Sequence, residues 1–475
     1  MSTFFPEANS LVNVSDLMEL NNALRKSSSQ AGYQSAAGTS GGDAGSLSPL
    51  IPQSIENTLA SATYTMKELA LWPAIPKVSV TNTLHEYSVI NDHGLDLEPF
   101  ISEGGAGTTN RAQYERKNVR VKYLAERREV SDVGSLVGLI GANQNAIAEE
   151  TERGTLRLLQ KLERSLWHAD ESVNPLAFDG IIKQIETFGG GSNVADLGGR
   201  APSPRLLQEV LAEIQSAPNF GRPDCIYVEP RMHAELIKFA VQWGRHDQLN
   251  VASAANGITY GAQDLMINSP YGPVKVKSAP FLFNAYKAPA AGSGNGPASP
   301  SFASITNPPN ANSKFSSADV SGGAYIYRIV AVNNDGYSAP VDSVAITVAA
   351  GDRVVLTIDQ QAGPVFFKIY RTEAGGVASD ATLIGEIANN AGGDTVFNDD
   401  NQTRANSSKI VFVQHDPQVM EFVRLLDFFR RPLAEVATSK PFLLMLFGSP
   451  IIKVPQKCWV LQNAKVNSNL IETLS

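Results

Sequence analysis

The sequence predicts an α+β protein that is interrupted by an all-β sandwich, and three observations support this fold class. Two alternating strands are followed by one long amphipathic helix between residues 84 and 169. Short apolar strands then alternate with helices over residues 175–283. A stretch rich in Pro, Gly, Asn and Ser begins at Ala288 and leads into closely spaced strands that end near Ser408.

Length and composition limit the function. A chain of 475 residues predicts about three domains, or one large domain with insertions. The formal net charge of -8 disfavours a specific nucleic-acid binder, because such proteins present a basic face. Two cysteines, Cys225 and Cys458, are too few for a disulfide framework and suit a reducing compartment. The sequence predicts neither a signal peptide nor a membrane span.

Residues 1–49 are predicted to form a flexible N-terminal arm. Ser27–Pro49 is rich in Gly, Ser and Ala and has almost no charge, which is typical of a linker. Before it, residues 10–26 predict a short amphipathic helix, because apolar residues recur at helical spacing. These are Leu11, Val14, Leu17, Leu20 and Leu24.

Residues 84–90 and 117–124 predict the two strands of a long β-hairpin that projects from the body of the protein. LHEYSVI begins the first strand at Leu84, and KNVRVKYL alternates cleanly from Lys117. Three glycines, Gly104, Gly105 and Gly107, lie between them and predict a tip with nothing to pack against.

Residues 143–169 predict the longest helix of the chain. Leu158, Leu162 and Leu166 lie on one stripe, and Glu149 precedes Arg153 by four residues as a favourable surface pair. Gly154 lies inside this helix, where glycine costs about 1 kcal/mol relative to alanine.

Residues 175–287 predict α/β structure, which returns in 409–475. SPRLLQEVLAEIQ and PRMHAELIKFAVQW predict two helices, the first capped by Ser203. In the second region, VMEFVRLLDFFRRP predicts a helix, with Arg430 and Arg431 at its last carbonyls. LLMLFG and PIIKVPQKCWVLQNA predict the closing strands.

Residues 288–408 predict an inserted β-sandwich. Six strand patterns recur with Gly, Asn and Asp turns, and the flanks Pro289–Ser313 and Asn401–Ser408 predict flexible tethers. The predicted core of the insertion consists of Tyr327, Val330, Val355, Ile358, Phe367, Ile369 and Val396.

No pattern of catalytic or metal-binding residues is present in the sequence. The six histidines are scattered, without HExxH or CxxC spacing. Asp92 and His93 near His85 are more typical of a solvated hairpin than of a metal site. Cys225 lies in an apolar run without a base, which predicts a buried structural thiol. We therefore expect no enzymatic activity, no catalytic residue, no cofactor and no metal.

The order of these elements resembles the major capsid protein of tailed double-stranded DNA bacteriophages, the HK ninety-seven type fold. The stretches EYSVINDHG, RAQYERKNVRVKYLAERREVSDV and ETERGTLRLLQKLERSLWHAD carry the resemblance. It implies an extended loop at 84–130 and a spine helix at 143–169, both within a first part of the peripheral domain at 50–174. It further implies an axial domain at 175–287 and a closing segment of the peripheral/axial unit at 409–475.

The insertion at 288–408 resembles an immunoglobulin/fibronectin-like domain. YIYRIVAVNNDGYSAPV is similar to a late-strand hairpin of such modules, and VFFKIYRT is similar to an earlier strand. The late motif comes first in this chain, which predicts a permuted topology.

The resemblance implies self-assembly into hexamers and pentamers of an icosahedral shell that encloses phage DNA. The chain would be made in the host cytoplasm and reside in the virion capsid, with scaffolding, portal and decoration proteins as partners and only non-specific proximity to DNA. Intersubunit charges are expected on the extended loop at Glu98, Glu103, Arg111, Arg116, Lys117, Arg120 and Lys122.

Three alternatives remain open from the sequence. An encapsulin-type compartment would share the fold but enclose protein cargo. A phage tail or adhesion protein would act through its β-module and form trimers or filaments. An unrecognised hydrolase would require a pocket with coupled titratable groups.

Overall fold

A computed structural model describes residues 63, 65–94, 100–106, 109–136, 145–187, 190–243, 265–435 and 438–465. The predicted arm at 1–49 and Glu98 lie outside these residues. The helices are α1 Asp132–Leu136, α2 Ala146–His168, α3 Ile181–Thr187, α4 Pro204–Gln215, α5 Pro230–Trp243 and α6 Ser317–Val320. The strands are β1 Lys77–Ser79, β2 Leu84–Asp92, β3 Gln113–Arg120, β4 Lys122–Ser131, β5 Val194–Asp196, β6 Cys225–Val228, β7 Met266–Ser269, β8 Gly272–Ser278, β9 Phe302–Thr306, β10 Tyr327–Val332, β11 Val341–Asp342, β12 Val354–Ile358, β13 Phe366–Arg371, β14 Thr382–Ala388, β15 Thr395–Asp399, β16 Ser408–Val413, β17 Met420–Pro432, β18 Ser439–Ile452 and β19 Trp459–Ala464.

Helix α2 confirms the predicted long helix. The side chain of Asn145 caps it by accepting a hydrogen bond from the backbone N–H of Ile147 at 2.9 Å. The predicted stripe of leucines is buried. At Gly154 a Cβ atom would lie 2.5 Å from Cδ1 of Leu444, so glycine allows the helix to approach strand β18 closely.

Helix α2 packs on a four-stranded sheet with the order β1-β17-β18-β4. The predicted helix at 419–432 is wrong: the segment is strand β17, and Arg430 and Arg431 lie within it. It pairs with β18 from Met420 opposite Ile452 to Pro432 opposite Phe442, with irregularities that flank Leu426. These bulges break the period of two, so the apolar residues fall at intervals that imitate a helix.

A six-stranded sheet forms the second layer, with the order β5-β19-β16-β6-β8-β7. Both of its faces are apolar, as expected for a sheet with helices on both sides. In β16, Val411 and Val413 pack in the cluster that contains α2 and α3, whereas Ile410 and Phe412 pack in the cluster that contains α4 and α5.

Strands β9 to β15 form two further sheets, β11-β10-β13-β14 and β15-β12-β9, around a separate apolar cluster. Four predicted core residues belong to this cluster: Tyr327, Ile358, Phe367 and Ile369.

The other three core predictions are wrong for this cluster, because adjacent residues of a strand face opposite sides of a sheet. Val330 is buried in a second cluster, with Tyr370 and Leu383. Val355 is half-buried, because Val354, Leu356 and Ile358 are the inward residues of β12. Val396 is 47% exposed, and its neighbour Phe397 packs against the core instead.

The predicted flexible tethers around this block are ordered. The stretch 289–313 contains strand β9, and the N–H of Ser293 donates to the carbonyl of Tyr337 at 2.9 Å. On the other side, Asn401 is buried, and its Oδ1 accepts a hydrogen bond from Arg371 at 2.6 Å. The composition correctly predicted that these flanks contain loops. It did not predict that the loops are ordered, which they are because their backbone and side-chain amides and hydroxyls form hydrogen bonds with the rest of the block.

Candidate functional site

Strands β2 and β3 form a two-stranded ribbon, so the predicted hairpin is present. The bounds predicted for its second strand, Lys117–Leu124, are wrong: the strand is Gln113–Arg120. The chain leaves the ribbon at Val121, and β4 begins at Lys122 and pairs with β18. The register runs from Leu84 opposite Arg120 to Asp92 opposite Gln113. No other described strand extends this sheet. A two-stranded ribbon buries little surface and is at best marginally stable in water.

Large apolar side chains on the ribbon and its tip are exposed to solvent. Such a group on one projecting element indicates an interaction surface, because soluble proteins seldom leave it uncovered. The exposed fractions are 52% for Ile90, 86% for Phe100, 60% for Ile101 and 72% for Tyr114.

The predicted charged residues of the ribbon differ in their surroundings. Glu103, Arg111 and Arg120 are exposed. Nη1 of Arg116 lies 3.5 Å from Oε2 of Glu86 on the facing strand. Nζ of Lys117 lies 3.3 Å from Oε2 of Glu115. These pairs are open to water, so they leave the charges available to a second partner.

Lys122 contacts residues outside the ribbon instead. Its side chain is only 15% exposed, and Nζ lies 2.8 Å from Oε1 of Glu171. Nζ also donates to the carbonyl of Pro175 at 2.7 Å. Because both contacts are within the chain, this side chain fixes the start of β4 rather than the outer part of the ribbon.

Backbone contacts fix the base of the ribbon. Val121 is buried, and its N–H donates to the carbonyl of Thr83 at 2.9 Å. The Ser449 hydroxyl accepts a hydrogen bond from the Lys122 N–H at 3.2 Å and donates to the Arg120 carbonyl at 2.7 Å. The chain therefore passes from the ribbon into the four-stranded sheet through a braced joint.

Glu163 is a buried carboxylate that the sequence analysis missed. Its Oε1 accepts hydrogen bonds from the backbone N–H groups of Ala70 and Leu71 at 3.1 and 2.7 Å, and Oε2 accepts one from Trp72 at 2.8 Å. Burial raises the pKa of Glu163, while the three N–H donors oppose that shift. Its place between Leu162 and Leu166 on the buried stripe was the available signal.

A chain of hydrogen bonds links Asp224, His415 and Tyr227. Nδ1 of His415 lies 2.9 Å from Oδ2 of Asp224, and Nε2 lies 3.0 Å from the Tyr227 hydroxyl. The order resembles a catalytic relay, but burial raises the pKa of Tyr227, so its phenol stays neutral. Burial also raises the pKa of Cys225 to about 11, which disfavours the thiolate.

The described residues contain neither a metal-binding cluster nor a membrane-spanning helix. Among them, no three His, Cys, Asp or Glu side chains gather as a metal site requires. Within the same ranges, none of the helices has the length and apolarity of a membrane-spanning segment. The exposed ribbon is therefore the strongest candidate for function.

Comparison with known proteins identifies phage capsid proteins as relatives. No family model matches the chain. The major capsid protein of Staphylococcus phage K is 24% identical over 448 residues, which cover 89% of this chain and 91% of that protein. The major capsid protein of Staphylococcus phage S25-3 has the same identity and coverage.

Solved structures give weaker likenesses. The capsid of a native GTA particle has a TM-score of 0.45 at 10% identity, covering 91% of this chain and 100% of that one. A chain of Mycobacterium phage Adephagia has a TM-score of 0.43 at 8% identity, covering 89% and 97%. The identification therefore rests on the sequence relatives.

These relatives confirm the sequence-based identification as a phage major capsid protein. The role is structural and non-enzymatic, and its place is the capsid of the virion. Neither the encapsulin nor the tail-protein alternative corresponds to what these relatives are named for. The immunoglobulin-like character of 288–408 stays a prediction.

Proposed function

We propose that copies of the chain assemble through the β2–β3 ribbon into hexamers and pentamers of an icosahedral shell around phage DNA. The observation that carries this proposal is the ribbon itself: a braced, projecting pair of strands with exposed apolar side chains. A neighbouring copy would bury Phe100, Ile101 and Tyr114, which no residue in the described part of this chain covers. A shell of identical chains uses the same contact repeatedly and closes by symmetry.

Charge supports the same use of the ribbon. Arg111, Arg116, Lys117 and Arg120 give its second half a basic side, and the chain as a whole has a net charge of -8. A basic ribbon laid on an acidic neighbour is attracted to it, and complementary charge fixes the register of the contact. Each exposed pair contributes only about 0–1 kcal/mol. Repetition over the shell multiplies this small term.

The net negative charge of the chain is compatible with enclosing DNA, because a surface without an excess of basic residues does not bind phosphates tightly. Scaffolding, portal and decoration proteins are the partners that we propose for such a shell. An encapsulin-type compartment would use the same contacts between subunits. The two functions differ in what the shell encloses, which is DNA in a phage capsid and protein in an encapsulin. Purified particles of this chain should protect double-stranded DNA from nuclease.

The test reverses charges on the ribbon. The variant Arg116→Glu/Lys117→Glu should remain a folded subunit and form few or no particles in electron micrographs, because the new glutamates repel the acidic neighbour. A matched control is Glu86→Gln/Glu115→Gln, which removes the same contacts within the ribbon but keeps its basic side. The control should assemble normally. Normal shells from the charge-reversed variant would refute the proposed role of the ribbon.

A further inference from the structure

The β-sandwich block, which comprises strands β9 to β15 between Phe302 and Asp399, has two features that predict different folding behaviour. Its apolar core is separate from the two clusters around the six-stranded sheet, which favours a domain that unfolds by itself. Its connections to the described residues outside 288–407, which we call the body, are ordered and hydrogen-bonded, which favours unfolding as one unit. The contacts at these connections decide between the two predictions.

The chain leaves the block through residues 399–407, the exit loop, which is held inside the block by Arg371. The guanidinium of Arg371 is buried, and its Nη1 lies 2.5 Å from Oδ2 of Asp399. Its Nη2 donates to Oδ1 of Asn401 at 2.6 Å. The hydroxyl of Tyr327, from the core, donates to the same Asp399 carboxylate at 2.8 Å. Separation of the exit loop from the block would therefore leave a buried charge unpaired.

The body holds the same loop through Asn463 of β19. The side chain of Asn463 is buried, its Oδ1 accepts from the N–H of Arg404 at 2.8 Å, and its Nδ2 donates to the carbonyl of Gln402 at 2.8 Å. Nδ2 also donates to Oδ1 of Asp196 on β5 at 2.8 Å. Nζ of Lys314, from the block, lies 2.8 Å from Oδ2 of the same Asp196. One buried amide therefore joins the exit loop to β5 and β19 of the body.

The entry to the block is fixed as well. Arg164 of α2 donates to Oδ1 of Asn284 at 3.0 Å, and its guanidinium carbon lies 4.6 Å from the centre of the Tyr286 ring. The carbonyl of Tyr286 accepts a hydrogen bond from the N–H of Leu383 on β14 at 3.0 Å. Helix α2 therefore holds the entry segment, and the entry segment in turn bonds to a sheet of the block.

We propose that the exit loop is a latch that makes the β-sandwich block and the body unfold as one cooperative unit, with Asn463 as its anchor in the body. A connected hydrogen-bond network is worth more than the sum of its separate bonds, so the loss of one buried member weakens the whole connection. The block is then a fixed part of the subunit and not a mobile appendage. The proposal concerns a single subunit, so its failure would leave the proposed shell function untouched.

Two asparagines provide a matched pair of variants. Asn463 and Asn406 both have a φ of 56°, but Asn463 is buried, whereas Asn406, in the exit loop, is exposed. Glycine adopts this left-handed backbone without strain, and it adds the same freedom to the unfolded chain at either position. A difference between Asn463→Gly and Asn406→Gly therefore reports the contacts of the Asn463 side chain.

Amide hydrogen exchange in the unassembled full-length subunit, measured by mass spectrometry, tests the latch. In the wild type, the slowest amides of β10 and β13 in the block and of β16 and β19 in the body should exchange through one common opening, so their protection should agree within about threefold. In Asn463→Gly the block amides should exchange at least about tenfold faster than the body amides, because the block can then open alone. Asn406→Gly should keep the two sets equal.

The position of Asn463 makes the test decisive, because this residue belongs to the body. If the block and the body were independent, Asn463→Gly would accelerate exchange in the body and leave the block unchanged, which would overturn the proposal. Equal acceleration in both would overturn the role of the exit loop, since the two parts would then stay coupled without it. If Asn463→Gly does not fold, Lys314→Gln replaces it and removes only the ion pair with Asp196. Its block amides should then exchange about threefold faster than the body amides.

Calorimetry of the same subunits provides an independent measurement. The wild type and Asn406→Gly should show one heat-absorption transition. Asn463→Gly should show two, with the midpoint of the first about 5 °C or more below that of the second. Two transitions in the wild type would contradict the latch, because the block and the body would then already unfold separately.

Discussion

The chain contains two long β-hairpins with opposite surroundings. The β2–β3 ribbon pairs with no third strand, and its side chains are mostly exposed. The β17–β18 hairpin lies inside a four-stranded sheet and buries one face against α2. The first has one irregularity near its outer end, between Ile90 and Asp92, whereas the second has two in its middle, at Arg424–Leu426 and Leu426–Phe429. The same element thus serves as a projecting arm in one place and as structural core in the other.

The difference shows what fixes each hairpin. The ribbon depends on its joint, where Val121 and Ser449 tie it to the sheet. The buried hairpin depends on close packing along its length. Substitutions in β17–β18 should therefore alter the free energy of unfolding, whereas substitutions in the ribbon should mainly alter assembly.

The largest effect is expected at Gly448 of β18. An added Cβ would lie 2.3 Å from Cε1 of Phe422 and 2.7 Å from the carbonyl of Val423. The Phe422 ring cannot move easily, because the Trp72 ring packs edge-on against it, with the two ring centroids 5.0 Å apart. Gly448→Ala should lower the free energy of unfolding by about 3 kcal/mol in urea denaturation.

Gly104→Ala at the tip of the ribbon is the matched control. Its φ of 77° disfavours alanine, but no heavy atom lies within 4 Å of an added Cβ. The cost should stay near 1 kcal/mol, because only backbone strain contributes. Equal losses at both glycines would contradict the distinction between a packed and an unpacked hairpin.

The two hairpins also mark how far the fold could be predicted from sequence. The ribbon was predictable in outline, because Leu84–Ile90 and Lys117–Arg120 alternate, but the same alternation continues into β4 and concealed the break between the two strands at Val121. Strand β17 was not, since its bulges displace Leu426 and Phe429 from strict alternation and produce a helical spacing. In the β-sandwich block, Val355 and Ile358 were both assigned to the core although their odd separation places them on opposite faces. The strands were recognisable there, but their register depended on tertiary pairing.

The second prediction concerns Glu163, which secures the segment leading to β1 at the edge of the buried hairpin. In Glu163→Gln, Oε1 can still accept from Ala70 and Leu71, but Nε2 would face the Trp72 N–H, donor against donor. Leaving one buried N–H unpaired should cost about 2 kcal/mol.

Glu86→Gln on the ribbon is the control for Glu163. Its contact with Arg116 is 3.5 Å long between side chains that are 50% and 74% exposed. An exposed ion pair of this kind contributes about 0–1 kcal/mol. A Glu163→Gln variant as stable as Glu86→Gln in thermal unfolding would mean that the buried carboxylate is not a structural anchor.

The candidate site was predictable only in outline. Alternation and glycines located the ribbon, and its basic residues were visible in the sequence. The distinction between Lys117 and Lys122 was not, because Lys122 contacts Glu171 and Pro175 through a loop distant in the sequence. Glu163 was missed because a charged residue in a leucine-rich helix is usually solvated, and only the three N–H donors from another segment explain its burial.

The smallest effect on stability, and a large one on assembly, is expected at the ribbon tip. Phe100 and Ile101 are 86% and 60% exposed, so Phe100→Ser/Ile101→Ser removes almost no buried surface from the subunit. The free energy of unfolding should change by less than about 0.5 kcal/mol. Burial of these side chains against a neighbour would contribute about 1.5–3 kcal/mol each, so particle yield in sedimentation should fall sharply. A variant that loses stability as a free subunit would show that the tip packs within its own chain, and the contrast between the two hairpins would then fail.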